Sequence, residues 1–187
     1  MASTAGAPPA PYLAVIRVID RITEILGGVF ALLLAPLVLA NVVEVLMRYF
    51  LRQPTTWAAD TTVMASGALF MLGAAYALRK GAHVRTDVLW EKFSDRRKGI
   101  IDSVAFLVFF FPTMAILFAL SLEEFLFAFE MDERSTLSTW QPPIWPLRMV
   151  IPLAAALLML QGVSELMKSL WAAWTGEALA RTEKIEI

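Results

Sequence analysis

Few side chains in this sequence have the chemistry of a catalyst or of a metal ligand. His83 is the only histidine, and there is no cysteine. One imidazole without a thiolate makes neither a typical zinc site nor a bis-histidine haem site. His83 with Asp87 and Glu91 is the only candidate for acid–base chemistry, and we find no residue that would orient it. We therefore expect His83 to make a structural hydrogen bond, and we expect no catalytic, cofactor or metal site.

Three charged residues lie near the ends of apolar segments. Glu44 and Arg48 are four residues apart, which places them on one helix face where they can pair. Asp60 lies in the first turns of the next apolar segment, where the positive end of the helix dipole favours a carboxylate. Two interpretations stay open for this group: a polar contact to a partner subunit, or an internal ion pair that ties the first two spans together.

A loop rich in proline and tryptophan precedes the last apolar segment, over residues 133–146. It contains Ser135 and Thr136, and it ends at Trp145 and Pro146. Proline restricts the backbone, and tryptophan is enriched where a membrane meets water, so the loop is predicted to be a rigid segment at the interface. It either presents a surface to a soluble partner or serves as an interfacial anchor alone.

The elements that position these residues are predicted to be membrane-spanning helices. The 187-residue chain is 58% hydrophobic and 18% charged, and its mean hydropathy is +0.64. A helix that rises about 1.5 Å per residue needs roughly 20 apolar residues to cross a hydrocarbon layer about 30 Å thick. Four stretches have that length, at about residues 25–47, 57–78, 101–129 and 146–171. The fold class is therefore predicted to be an all-α integral membrane protein.

The remaining segments are short. We expect a flexible N-terminal leader over residues 1–16, a four-helix membrane domain over 17–176, and a flexible C-terminal tail over 177–187. Between the second and third spans, apolar residues from Val88 to Phe93 alternate with charged ones, which predicts a short helix lying in the headgroup layer.

Small residues and prolines indicate where the spans approach one another or bend. Gly27 and Gly73 each begin a run of small residues at four-residue spacing, which predicts close contacts between helices. Pro36 and Pro112 lie inside the first and third spans, where each frees a backbone carbonyl and bends the helix axis. We interpret these as fixed bends that fit neighbouring helices.

Orientation follows from the basic residues in the short loops, because cytoplasmic loops carry the excess of lysine and arginine. The loop between the second and third spans contains seven basic residues, whereas the other two loops contain two each. The seven are Arg79, Lys80, Arg85, Lys92, Arg96, Arg97 and Lys98. That loop and both termini are therefore predicted to be cytoplasmic, with twelve of the 16 basic residues inside and four outside.

Short motifs along most of the chain resemble the small membrane subunit of TRAP transporters, the DctQ-type family. The resemblance extends from about Arg17 to Trp174 and depends on the order of the motifs rather than on any one of them. The motifs are Asn41-Val42-Val43, Arg48-Tyr49, Pro54, Trp57 to Asp60, Gly73 to Ala75, Lys80 to Asp87, Ser135-Thr136, Trp145 and Ile151-Pro152. Asp60 departs from the pattern, since the family more often has glutamate there.

This resemblance implies a tripartite secondary transporter in the bacterial inner membrane. A periplasmic substrate-binding protein (P type) delivers an organic acid or a related anion to a large membrane subunit (M type), which contains the substrate and sodium sites. The small subunit braces the large one within the membrane lipid and helps dock the binding protein. The resemblance implies no nucleic-acid partner and no enzymatic activity.

Ten residues are expected to make partner-subunit or structural contacts. They are Glu44, Arg48, Trp57, Asp60, His83, Arg85, Asp87, Ser135, Thr136 and Trp145. The alternatives are a small four-helix exporter that works as a dimer and a lipid-modifying enzyme. A self-contained transporter would require a mid-membrane charge cluster or a pair of broken helices, and the predicted spans show neither.

Overall fold

A computed structural model describes residues 8–81, 93–176 and 179 of the chain. All regular elements in that part are helices, apart from one isolated bridge between Arg134 and Pro143. Four helical stretches are long and apolar enough to cross a membrane. They run over Ala10–Tyr49, Ala58–Arg79, Asp95–Glu130 and Trp145–Thr175. The predicted all-α membrane class is confirmed.

The first stretch consists of two helices, α1 (Ala10–Ala31) and α2 (Leu34–Tyr49), with a turn between them. In this turn the N–H of Leu33 donates to the carbonyl of Phe30, three residues back rather than four. Pro36 is the cause, because its ring collides with the carbonyl of the residue four positions earlier and it has no N–H to donate. The bend therefore lies one turn before the proline.

Helix α1 also begins earlier than expected. It starts at Ala10, inside residues 1–16 that were predicted to form a flexible leader. Pro9 at the N-cap and Pro11 within the first turn suit a helix start, where a missing N–H removes no helical hydrogen bond. Tyr12 then holds this end in place, since its hydroxyl donates to the carbonyl of Met167 and its ring packs 5.9 Å from that of Trp171.

The remaining helices are α3 (Ala58–Arg79), α4 (Asp95–Ala105), α5 (Phe111–Glu130) and α6 (Trp145–Thr175). A π-helical turn, Phe106–Phe110, joins α4 to α5. At its end, the N–H of Phe111 donates to the carbonyl of Phe106, five residues back. The wider turn lies immediately before Pro112, where regular α-helical bonding is not available.

Helix α6 is the centre of the bundle. It packs against α1, α3, α4 and α5, whereas α2 packs chiefly against α3. Accordingly α6 contains seven buried residues and α2 only one, Ala40. The predicted contact at Gly27 is present, because this glycine faces the ring of Tyr76 in α3. The same prediction is wrong for Gly73, where no neighbouring atom lies within 4 Å of an added methyl group in the described structure.

The alternating helix directions give the bundle two ends. The loop end carries residues 50–57 and 131–144, and the terminal end carries the start of α1, the end of α3, the start of α4 and the end of α6. The headgroup helix predicted from Val88 to Phe93 falls almost entirely within residues 82–92, which lie outside the described part.

Candidate functional site

A buried carboxylate organises the loop end of the bundle. Asp60, in the first turn of α3, is 2% exposed. Its two oxygens accept hydrogen bonds from the hydroxyl groups of Ser135 and Ser138, which lie in the loop between α5 and α6. The N-terminal position on α3 adds the favourable field of the helix dipole. One aspartate therefore ties the loop over residues 131–144 to the start of another helix.

Both serines are oriented by the backbone of their own loop. The oxygen of Ser135 accepts a hydrogen bond from the N–H of Leu137 at 3.2 Å, and that of Ser138 accepts one from the N–H of Trp140 at 3.2 Å. Each hydroxyl thus accepts from the backbone and donates to Asp60, an arrangement in which neighbouring hydrogen bonds polarise one another.

Backbone contacts close the same loop into a compact unit. The N–H of Ser135 donates to the carbonyl of Pro142 at 2.9 Å, and the N–H of Ile144 donates to that of Glu133 at 2.9 Å. Two residues without a glycine's freedom, Asp132 and Gln141, have positive φ angles of 45° and 47°. Such angles persist only where the surrounding contacts over-determine the backbone, so this loop is held in one conformation.

Arg148 connects the loop to α5 and α6. One end of its guanidinium pairs with Glu124 of α5, and the other pairs with Glu133 of the loop at 2.8 Å. Arginine suits this position because its planar fork presents several N–H groups in fixed directions. In the sequence, Arg148 contributed only to the prediction of membrane orientation, because no neighbouring residue indicates that the loop folds back onto it.

Glu44 and Arg48 pair with each other on α2, with the Arg48 Nε 2.9 Å from a Glu44 oxygen. The second Glu44 oxygen accepts hydrogen bonds from the backbone N–H of Thr55, at 2.9 Å, and from the Thr55 hydroxyl. These contacts fix the loop between α2 and α3 to α2. Within the described residues, no ion pair links Asp60 to this group, so the three charges form two separate centres.

The other predicted site residues differ in what they contact. Trp145 packs edge-on against Phe129 of α5, with ring centroids 5.6 Å apart. Trp57 precedes α3, and its carbonyl accepts hydrogen bonds from both the N–H and the hydroxyl of Thr61. Thr136 is exposed on the loop that Asp60 holds. His83, Arg85 and Asp87 lie outside the described residues.

A second polar centre joins α1 to α6 and was missed in the sequence. Asp20 accepts hydrogen bonds from Gln161 at 2.9 Å, from Ser164 at 2.8 Å and from the ammonium group of Lys168 at 2.8 Å. Gln161 is fully buried and also accepts from the Thr23 hydroxyl at 2.7 Å. This centre lies in the halves of α1 and α6 that face the terminal end, so it does not test the expectation that the spans lack a mid-membrane charge cluster.

Glu165 completes this second centre. Its carboxylate lies 2.8 Å from the Lys168 ammonium and accepts a hydrogen bond from Gln161 at 3.1 Å. The carboxylates of Asp20 and Glu165 thus share one lysine, and they accept further hydrogen bonds from the amide of Gln161 and the hydroxyl of Ser164. A signal was available in the sequence, since Gln161, Glu165 and Lys168 have the spacing of one helix face.

Neither centre has the arrangement of a metal or cofactor site. No group of three or more histidine, aspartate or glutamate side chains that could hold a metal ion is found among the described residues. The carboxylates of both centres instead accept hydrogen bonds from side chains and backbone of the same chain. Chemically, these groups fasten helices and loops to one another.

Comparison with protein families gives one match. A family model described as "Tripartite ATP-independent periplasmic transporters, DctQ component" matches residues 37–172. These residues include most of α2 and α6, all of α3, α4 and α5, and both loops of the loop end. No curated protein and no solved structure matches the chain.

Proposed function

The chain belongs to the DctQ family and is the small membrane subunit of a tripartite ATP-independent periplasmic transporter, and we propose that its role is to brace the large membrane subunit. The family is a component of transporters rather than a family of enzymes, and it belongs to the bacterial inner membrane. Bracing requires a rigid body within the lipid. The substrate and sodium sites are then assigned to the large subunit.

The observation that carries this proposal is the internal use of polar side chains. Asp60 fixes a loop, and Asp20 fixes α1 to α6 through Lys168. A transport site needs polar groups that are free to replace the hydration shell of a solute or an ion. In both centres these groups are already occupied by partners in the same chain, which favours a rigid support.

We also propose that the terminal end faces the cytoplasm. Among the described residues, eight basic side chains lie at this end and four lie at the loop end. The eight are Arg17, Arg21, Arg79, Lys80, Arg96, Arg97, Lys98 and Lys168. This asymmetry supports the same orientation as the positive-inside rule applied to the sequence, with the loop end in the periplasm.

Co-purification and reconstitution test the bracing role. We expect an affinity tag on the large subunit to retain this chain in a fixed ratio through detergent extraction. Proteoliposomes containing both subunits should take up an organic acid in response to a sodium gradient and the binding protein, whereas either subunit alone should not. Robust uptake by the large subunit alone, or by this chain alone, would contradict the role.

We further propose that the loop held by Asp60 helps dock the substrate-binding protein. The loop has a fixed backbone, and it exposes Thr136, Leu137 (57% exposed) and Trp140 (51% exposed) at the loop end. A preorganised surface loses little conformational entropy when a partner binds. Exposed aromatic side chains are also enriched among residues that anchor protein–protein contacts.

A paired substitution separates docking from assembly. Replacing Ser135 and Ser138 by alanine removes both donors to Asp60, and we expect the complex with the large subunit to form while its affinity for the binding protein falls. Ser121→Ala is the control, because within the described part of the chain that hydroxyl donates only to the Leu117 and Phe118 carbonyls of its own helix. Unchanged affinity in the double variant would refute the docking role and leave bracing intact.

A further inference from the structure

The C-terminal half of α5 has an exposed face that is apolar except for carboxylates. Its residues recur at alternating spacings of four and three, which places them along one side of the helix. They are Ile116 (61% exposed), Leu120 (59%), Glu123, Phe127 (55%) and Glu130. The opposite side of α5 contains buried Ser121 and Ala128. We call the exposed side the Glu123 face.

Glu123 is the unusual member of this face. It lies seven residues before the end of α5 at Glu130, about 10 Å along a helix that rises ~1.5 Å per residue. Its side chain is exposed, and no described residue of the chain forms a hydrogen bond or an ion pair with it. A carboxylate on the lipid-facing side of a span is costly unless a partner compensates it.

The adjacent residue shows how this chain treats a carboxylate that it compensates itself. Glu124 is paired with Arg148, which reaches it from the first turn of α6. Glu123 lies at the same level of the bundle, and Arg148 is already engaged by Glu124 and Glu133. Arg148 is therefore not free to pair with Glu123, and any counterpart would come from outside the described chain.

Helix α2 provides a contrast, because it exposes a largely apolar surface and the exposed side chains of Asn41 and Arg48 have partners inside the chain. Leu39 (62% exposed), Val42 (48%) and Leu46 (48%) form that surface. The polar residues of α2 have partners inside the chain, as Asn41 with Thr62 and Glu44 with Arg48 show. Lipid tails can cover an apolar surface at no cost in free energy, because they are equally apolar. They cannot do so for the Glu123 face, because they offer no partner for a carboxylate.

We propose that the Glu123 face is the surface on which a membrane helix of the large subunit packs, with a basic or hydrogen-bond-donating side chain opposite Glu123. This inference depends on the proposed bracing role and specifies where the brace is attached. Apolar side chains on either side of Glu123 supply packing, and the pair at Glu123 fixes the register of the two helices.

Matched substitutions in the complex of both membrane subunits test the proposal. Glu123→Gln and Glu123→Leu should weaken association roughly three- to thirty-fold, the range of an interhelical polar contact in a membrane. Glu124→Gln makes the same chemical change on the neighbouring residue and should leave association unchanged. Leucine makes the span more apolar, so loss of the complex in Glu123→Leu does not come from failed insertion. Normal association of both Glu123 variants would overturn the proposal and indicate a carboxylate that reaches the lipid headgroups.

Photo-cross-linking locates the surface independently, because the chain has no cysteine of its own. We expect a thiol-attached benzophenone at Leu120→Cys or Phe127→Cys to form adducts with the large subunit, and none to form at Leu39→Cys or at Phe70→Cys, which replaces a side chain on α3 that is 77% exposed. Adducts from Leu39→Cys or Phe70→Cys alone, in an intact complex, would overturn the Glu123 face but not the bracing role. Failure of the unsubstituted subunits to associate would contradict both.

Discussion

The carboxylate of Asp20 in α1 lies 2.8 Å from the ammonium group of Lys168 in α6, with about a fifth of each side chain exposed. These residues are 148 positions apart, and their pairing joins the first and last helices of the bundle. The turn at Leu32–Leu33 separates α1 from α2, so this contact and the packing of Tyr12 hold α1 independently of α2.

A double-mutant cycle measures the pairing of Asp20 with Lys168. We expect Asp20→Asn and Lys168→Met each to lower the free energy of unfolding in detergent by about 1–3 kcal/mol, because each leaves a partly buried group without its partner. The double variant should lose less than the sum of the two. Arg21→Met is the control, since Arg21 is 73% exposed and lies 3.8 Å from Glu24. Additive losses would show that the two groups are not coupled.

The helices could be predicted from the sequence more completely than the contacts between them. Hydrophobic length is a local property, so four spans were evident, and the second predicted span, 57–78, nearly coincides with α3. The first was predicted too short because Asp20 and Arg21 break its apolar run. Asp20 is nevertheless accommodated, since Gln161, Ser164 and Lys168 meet it from a helix 140 residues away.

The candidate site illustrates the same limit. Asp60 and Ser135 were each singled out, but their contact depends on how the loop folds against α3, and no sequence spacing encodes that arrangement. The Glu44–Arg48 pair was accessible because it is made within a single helix. The hydrogen bond from the N–H of Thr55 to Glu44 could not be predicted, because it depends on the turn after α2.

Adjacent glycines provide a test of the contact between α1 and α3. A methyl group added at Gly27 would lie 2.6–2.9 Å from the ring and Cβ of Tyr76, whereas one added at Gly28 meets nothing within 4 Å. We expect Gly27→Ala to destabilise the protein by about 1–3 kcal/mol through overpacking. Gly28→Ala should be neutral or stabilise it by up to about 1 kcal/mol, because alanine favours helices. Thermal unfolding in one detergent compares them, and equal effects would contradict the packing.

The role of Arg148 as a two-way clamp predicts that lysine cannot replace it. Arg148→Lys keeps the charge but offers one nitrogen where the native side chain uses Nη1 for Glu124 and Nη2 for Glu133. We expect faster amide hydrogen exchange across residues 131–144, with α3 unaffected. Arg134→Lys is the comparison, since among the described residues Arg134 pairs with nearby Asp132 alone, on an exposed part of the same loop. The clamp would be refuted if both variants exchanged like the native protein.

Helix α4 approaches α6 closely at Gly99, and we therefore expect substitution of this glycine to lower stability more than any of the other glycine substitutions does. An added methyl group would collide with backbone atoms of α6, among them the carbonyl oxygen of Ser169 at 2.6 Å and the backbone nitrogen of Ala173. Backbone atoms in a helix cannot rotate away, so Gly99→Ala must push the two helices apart, at a cost of about 1–3 kcal/mol or more.

Gly162 offers the contrast that makes this prediction specific. There an added methyl group would lie 2.5 Å from the ring edge of Phe110, and the ring of a side chain can shift where a backbone cannot. We therefore expect Gly162→Ala to cost less than Gly99→Ala, and Gly73→Ala, in open space, to cost least. The order is measured by thermal unfolding of the three variants in one detergent. If Gly73→Ala lowered stability as much as Gly99→Ala, the effect of these substitutions would not come from contacts between helices.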